Sequence, residues 1–579
     1  MLRILPLLLL LGACVQAPPS ATAGGLDGLM ERYFAARLTW NPLFATRTGR
    51  HEWDDRLPEA SIAAQQRRLA ELNGFREELT ALRVAEGDAV NAAVLKHVLE
   101  DEIGDLEHRA WRIPITNRGG FHVDFAELPQ RHPFATVADY EHYVARLRAF
   151  RRWSADHLEL MREGVRTGWT LPRASMHGFA DTVAAHVVDD PAKSLLWEPF
   201  KEFPAHFDPA TRARLTAAGR AAIAESVIPG YRDLLDFWRK EYAPALQPEV
   251  GYGRLPGGAE YYRFRVKSFT TLDLDPEDVH ERGVKEVARI RTEMDEVILK
   301  AGFQGTFAEW VHFLRSDPRF YAKTGEELMM RTAAVCKKMD GLLPQLFSHL
   351  PRAPYGLRPV PDYIAPYTTT AYYQEPAGDG SHAGFYFVNL SKLESRPLYE
   401  IEALSLHEAV PGHHLQIAIQ QELQNMPEFR KWADVTAYIE GWGLYSERLG
   451  LECGFYQDPY SDFGRLSYEM WRACRLVVDT GLHAFGWSRA RAIEFMAQNS
   501  ALALHNIEAE VDRYITWPGQ ALAYKTGELK IRELRARAEA ALGAGFDVRD
   551  FHDLVLGSGP VPLSVLETMV DAWIGAQRR

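Results

Sequence analysis

The stretch LSLHEAVPGHHLQ, residues 404–416, places three histidines, His407, His413 and His414, and one glutamate, Glu408, within eight residues. Glu440, in YIEGWGLYSE, follows 27 residues after His413. The pattern reads as an interrupted HExxH zinc-hydrolase motif. In the uninterrupted form two histidines four apart share one face of a helix, about 6 Å of rise apart, so both imidazoles reach one metal. Here Pro411 stands where the second histidine would fall.

Helix geometry shows what the interruption demands. In a straight helix His407 and His414 would share a face but sit about 10.5 Å apart along the axis. Two nitrogens each about 2.0–2.1 Å from one zinc cannot span that gap, so the helix has to break if a metal is held. Pro411 has no N–H for the carbonyl of His407 and its ring clashes there, while Gly412 tolerates unusual backbone angles. A two-residue bulge then favours His413 as the second ligand and turns His414 toward substrate or transition state. The exchanged arrangement, with His414 on the metal, stays open from spacing alone.

His407, His413 and Glu440 form a sensible catalytic zinc set, three protein ligands with a fourth position left for water. Glu408 is the expected general base toward that water. Tyr524, His483 and His414 are candidate donors to a developing oxyanion. Asp434, Glu447 and Asp479 are candidates to orient the histidines. Arg472, Asp512 and Arg513 also stand out as polar residues in mainly apolar helical runs, where an inward-facing charge needs a partner.

Composition sets the broader class. With 46% hydrophobic and 25% charged residues in 579, the chain is an ordinary folded protein with ample core. A net charge of −12 and no basic, aromatic-interleaved tract argue against a nucleic-acid partner. Residues 1–13 carry Arg3 and the apolar run LPLLLLLGA, too short to span a bilayer and laid out like an export signal. Leu11-Gly-Ala-Cys14 resembles a bacterial lipobox, which implies cleavage before Cys14 and its acylation, with 14–25 as a tether. The expected location is therefore outside the cytoplasm, lipid-anchored to a bacterial membrane, the outer membrane facing the periplasm. Cys336, Cys453 and Cys474 remain, enough for one disulfide or none.

Helical periodicity dominates residues 26–245, as in AVLKHVLEDEIGDLEHR from Ala93 and YEHYVARLRAFRRW from Tyr140, and predicts an N-terminal helical lobe. Residues 246–579 are expected to form the catalytic lobe. The Gly-, Pro- and aromatic-rich segment 246–271 reads as a loop or short-strand junction. Helices resume at Asp275, a candidate cap before Pro276. IAPYTTTAYYQ and AGFYFVNL flank PAGDGSH with its Asp-Gly turn signal, predicting a β hairpin beside the zinc helix. Such an edge could receive an extended peptide.

HEAVPGHHLQ, EGWGLYSERLGLE, RLVVDTGLHAFGW, EVDRYITWPGQALAYKTGELKI and FHDLVLGSGPVPL together resemble the family called domain of unknown function 885, common among bacterial lipoproteins. The resemblance covers nearly all the chain after the tether. That family is similar to the gluzincin metallopeptidases, which implies a mostly α-helical, two-lobed fold with a deep cleft. It also implies His407, Glu408, one of His413 and His414, and Glu440 as the site of one zinc, with Tyr524 as a late oxyanion-assisting tyrosine. The expected function is a zinc peptidase cutting short peptides. The alternatives are a lipoprotein that captures peptides without cutting them and a zinc hydrolase of a non-peptide amide or ester. Oligomeric state is not encoded in any of these signals.

Overall fold

The computed structural model describes residues 24–362, 365, 369–376 and 382–578. The described chain is mainly helical with one small sheet. The helices used below are α1 (Gly25–Trp40), α2 (Ile62–Ala81), α3 (Ala89–Glu107), α4 (Val137–Thr167), α5 (Gly258–Thr270), α6 (Pro276–Lys300), α7 (Ile401–Glu408), α8 (His413–Glu422), α9 (Thr436–Leu449), α10 (Pro459–His483), α11 (Leu504–Thr516) and α12 (Ala523–Leu542).

Local chemistry explains several boundaries. Thr136 and Asp139 close a reciprocal capping box on α4, and Gly168 ends it at φ 73°, a left-handed angle that glycine adopts without strain. Asp275 occupies the cap position of α6 and Pro276 its first turn, but the Asp275 side chain accepts no capping hydrogen bond. Segment 246–271 departs from the expected junction, because residues 258–270 form α5. After Gly258 its buried positions are Tyr261, Tyr262, Arg265, Val266, Phe269 and Thr270, a four-residue spacing that the dense aromatics mask as alternation.

The sheet runs in the order β1 (Tyr355–Pro359), β3 (Gly384–Val388), β2 (Ala371–Gln374). β2 and β3 pair antiparallel with Ala371 opposite Val388, giving the hairpin arms, while the Asp-Gly turn at 379–380 lies outside the described residues. β1, which sequence periodicity did not reveal, joins β3 in parallel with Tyr355 opposite Gly384.

The largest hydrophobic core joins residues of α1–α3 to residues from α7, α9, α12 and the C-terminal helices, and so crosses the boundary at 245. A second, aromatic-rich core occupies residues 60–246, and a third surrounds α6 and α10. Cys336, Cys453 and Cys474 are buried free thiols. No described helix is long and apolar enough to cross a membrane. Cys14 and the leader lie outside the described residues.

Candidate metal centre

The HEAVPGHH segment folds as two helices with a break. α7 stops at Glu408, where Ala409 leaves helical geometry (φ −97°, ψ −109°), and α8 starts at His413 after Gly412 (φ −79°, ψ −129°). The intervening Val410–Pro411 peptide is cis. A Cβ at Gly412 would lie 1.9 Å from the carbonyl oxygen of His407, so the close approach excludes a side chain there. The indole N–H of Trp442 donates to the carbonyl of Pro411 at 2.9 Å and ties the break to α9.

Glycines flank Glu440 for packing reasons. A Cβ at Gly441 would sit 2.5 Å from Cα of Gly527, which brings α9 against α12 backbone to backbone. A Cβ at Gly443 would sit 2.8 Å from the His407 ring. The EGWG run therefore sets Glu440 between a tight helix crossing and the room reserved for an imidazole.

His407, His413 and Glu440 each offer one ligand atom, and these atoms lie within 4.8 Å of one another. Oε2 of Glu440 is 3.6 Å from Nε2 of His407 and 3.5 Å from Nε2 of His413. Those separations exceed a charge-assisted hydrogen bond, about 2.7–2.9 Å, and match the edge of a zinc tetrahedron, about 3.3–3.5 Å. Glu440 Oε2 is also buried without a hydrogen-bond partner among the described residues. An orphaned buried carboxylate oxygen facing two imidazoles fits a cation better than it fits an internal hydrogen-bond cluster.

Electrostatics agree with that geometry. Burial opposes charge on His407, yet the acidic partners Glu440 and Glu447 lift its pKa to about 9. Burial likewise opposes charge on Glu440, and the two imidazoles still hold its carboxyl well below the usual range. Nδ1 of His407 is 2.8 Å from Oε1 of Glu447, and Arg472 holds the same oxygen at 3.3 Å. Glu447 thus fixes the His407 ring with Nε2 toward Glu440, the arrangement that orients metal-binding histidines.

The other candidates divide. Glu408 is the last residue of α7, partly exposed, directly after His407. Tyr524, in the first turn of α12, has its phenol pushed up by burial and then by the charge of Glu440, while Arg475 and Arg513 pull it down. His414 points to the sheet instead, with Nδ1 2.8 Å from the Tyr373 hydroxyl and its ring packed 4.7 Å from Tyr355. Burial pushes its pKa down to about 4.

His483 is not placed as an oxyanion donor. Its Nδ1 accepts from the backbone N–H of Tyr252 at 3.1 Å and its Nε2 meets the carbonyl of Tyr514 at 3.0 Å, so both ring nitrogens are committed to packing α10. Asp479 accepts from Tyr262 at 2.6 Å and from the N–H of Gly519 at 3.1 Å, and Asp434 is exposed against Thr436. Among the three carboxylates considered as histidine orienters, Glu447 makes the contact with His407. Asp512 pairs with Arg489 at 2.7 Å. Sequence reading passed over Gly443, Trp442 and Tyr373, although two glycines within one helical turn of Glu440 are a visible signal of close packing.

A family pattern described as bacterial protein of unknown function (DUF885) matches residues 42–570. The chain belongs to this family. No curated protein matches. Among solved structures, the DUF885 chain is similar to a candidate lipoprotein from Colwellia psychrerythraea, at 27% identity and TM-score 0.88, covering 95% of this chain and 99% of that one. It shares its fold with a candidate lipoprotein of unknown function from Shewanella oneidensis, at 16% identity and TM-score 0.73, covering 94% of this chain and all of that one.

Proposed function

We propose that this DUF885 protein is a zinc-dependent hydrolase, a peptidase of gluzincin type that cuts short peptides in a cleft closed by its N-terminal helices. The observation that carries the reading is the His407–His413–Glu440 triangle around an unpartnered buried carboxylate oxygen, with Glu408 next in sequence to the first histidine. When bound, zinc would supply Lewis-acid polarisation of the scissile carbonyl and a lowered pKa for water. Glu408 would accept the proton of the attacking water and return it to the leaving amine. Tyr524, on the Glu440 side, would donate its hydroxyl proton in a hydrogen bond to the developing oxyanion. Glu447 would keep His407 in one tautomer, with Arg472 steadying Glu447.

An intact general base favours cutting over mere capture, since capture needs none. The lipobox at Cys14 and the lipoprotein description of the Colwellia relative support export and lipid anchoring, with the site on the periplasmic side of the outer membrane.

The test is a stoichiometric zinc assay with peptide-library digestion by the native chain and by Glu408→Gln. One zinc in both proteins, and turnover lower by about 10²–10⁴-fold in the variant, is the expected result. Equal cleavage by both, or no metal in either, would overturn the reading.

A further inference from the structure

A group of charges beside Tyr524 bears on which part of a substrate this site would hold. Glu510 faces three guanidiniums, Arg513 at 2.9 Å, Arg475 at 3.1 Å and Arg118 at 3.6 Å. Arg513 also donates to Oε1 of Gln520 at 2.6 Å, and Arg118 to the carbonyl of Ala509 at 3.0 Å. Arg475 donates through Nε to the Tyr514 hydroxyl at 2.9 Å, but its Nη1 is buried with no hydrogen-bond partner among the described residues. The Arg475 side chain is only 4% exposed.

Apart from Glu440, assigned above to the candidate metal, nearby carboxylates are already engaged. Asp512 belongs to Arg489, Glu447 to His407 and Arg472, and Asp479 to Tyr262 and Gly519. Even with Asp479 ionised, the three guanidiniums of Arg118, Arg475 and Arg513 outnumber the carboxylates of Glu510 and Asp479 where α10, α11 and α12 meet. Glu510 meets Nη2 of Arg475 but leaves Nη1 unpaired, and a buried N–H without an acceptor is costly. Tyr524 links this cluster to the candidate metal centre, since its ring lies 4.4 Å from Cζ of Arg475 and it stands one turn before Gly527, which packs on Gly441 beside Glu440.

We infer that Arg475, backed by Arg513, is the subsite for a free carboxylate on the substrate, which directs the enzyme to the C-terminal end of short peptides or peptide-like acids. The inference rests on the hydrolase reading above, because it sets the carboxylate beside the same candidate metal centre. The planar guanidinium suits it, presenting paired N–H groups to a carboxylate in a way a lysine cannot.

The test uses zinc-loaded full-length protein carrying Glu408→Gln, offered a pool of N-acetylated tripeptides as free acids and the same pool as C-terminal amides, with retention read by mass spectrometry. Acids should be retained about tenfold to a hundredfold better than amides, and adding Arg475→Gln should erase the preference. Equal retention of the two pools, or retention of neither, overturns the subsite. The acid-to-amide ratio of the parent carries the test if Arg475→Gln fails to fold. Digestion by the native chain separates the two readings. Equal turnover of acids and amides removes the subsite and leaves the hydrolase standing, whereas acid-selective retention without turnover of either pool removes the hydrolase and leaves the carboxylate site.

Discussion

Two long helices, α4 in the N-terminal half and α10 beside the candidate metal centre, solve the burial problem in opposite ways. α4 buries a stripe that includes Tyr143, Leu147, Phe150 and Met161, and turns Arg148, Arg151 and Arg152 outward. Its one buried charge, Arg146, is met by Thr46, Asp54 and backbone carbonyls. α10 is buried around nearly its whole circumference from Ser461 to His483. Along it Arg465, Glu469, Arg472, Arg475, Asp479 and His483 follow at three- and four-residue spacing, a polar stripe turned inward. Partners for that stripe come from other elements, among them Glu447, Glu510, Lys525 and Tyr262. Hydrophobic periodicity built α4 on its own, whereas α10 is stable only where the rest of the chain supplies its counter-charges.

The sharpest way to break this contrast is to remove one charge from each helix. Arg472→Ala leaves Glu447 buried without its guanidinium and should cost about 3–5 kcal/mol, while Arg152→Ala on the exposed face of α4 should stay within about 0.5 kcal/mol. Urea titration measures both, and equal effects would erase the distinction. Glu447→Gln keeps the volume and removes the charge that orients His407. Zinc affinity should fall about 10–100-fold in a chelator competition, and unchanged affinity would show that Glu447 only fills space.

A pH test sharpens the N-terminal side of the comparison. His122 sits buried against Phe121 and Phe179 with Nδ1 unpartnered among the described residues, and burial, then the charges of His186 and His157, push its pKa down to about 3. Below its unfolded value of about 6.5 the unfolded chain takes a proton that the folded chain refuses, so stability is lost as pH falls from 6.5 toward 3. At pH 5 this amounts to about 2 kcal/mol. The stability difference between pH 7 and pH 5 should shrink by that amount in His122→Gln, and an unaltered pH dependence would count against a neutral buried imidazole. The smallest effect concerns Gly74, inside α2 with nothing within 4 Å of a built Cβ. Gly74→Ala should stabilise by about 0.5–1 kcal/mol in the same urea assay, and a loss would point to an undetected contact.

The helix break at Pro411 was legible from the covalent chemistry of proline, and the meeting of Glu440 with His407 and His413 from the residue types that a three-ligand site needs. His414 and His483 were equally visible as histidines in apolar helices, yet one caps a contact to Tyr373 and the other spans Tyr252 and Tyr514. Nothing local distinguishes such roles, since the partners lie 31 to 231 residues away. α5 was hidden for the opposite reason. Its aromatic residues imitate strand alternation, and only burial on the neighbouring helices selects the four-residue spacing. β1, YGLRP, lacks the β-branched and aromatic run and the turn signal that mark β2 and β3, and it forms against the edge that β3 offers.

The shared core of α1–α3 with the helices after residue 400 has a temporal consequence. Leu29, Tyr33 and Leu99 pack into the same interior as Tyr438, Leu534 and Val570, so helices made early wait for helices made much later before their apolar faces are covered. Closing a loop of that length adds little entropy per extra residue, but it delays native burial until almost the whole chain is available. During that interval α1–α3 carry exposed hydrophobic faces, which makes the emerging chain dependent on protection from aggregation and links completion of the core around the candidate metal centre to arrival of the C-terminal helices.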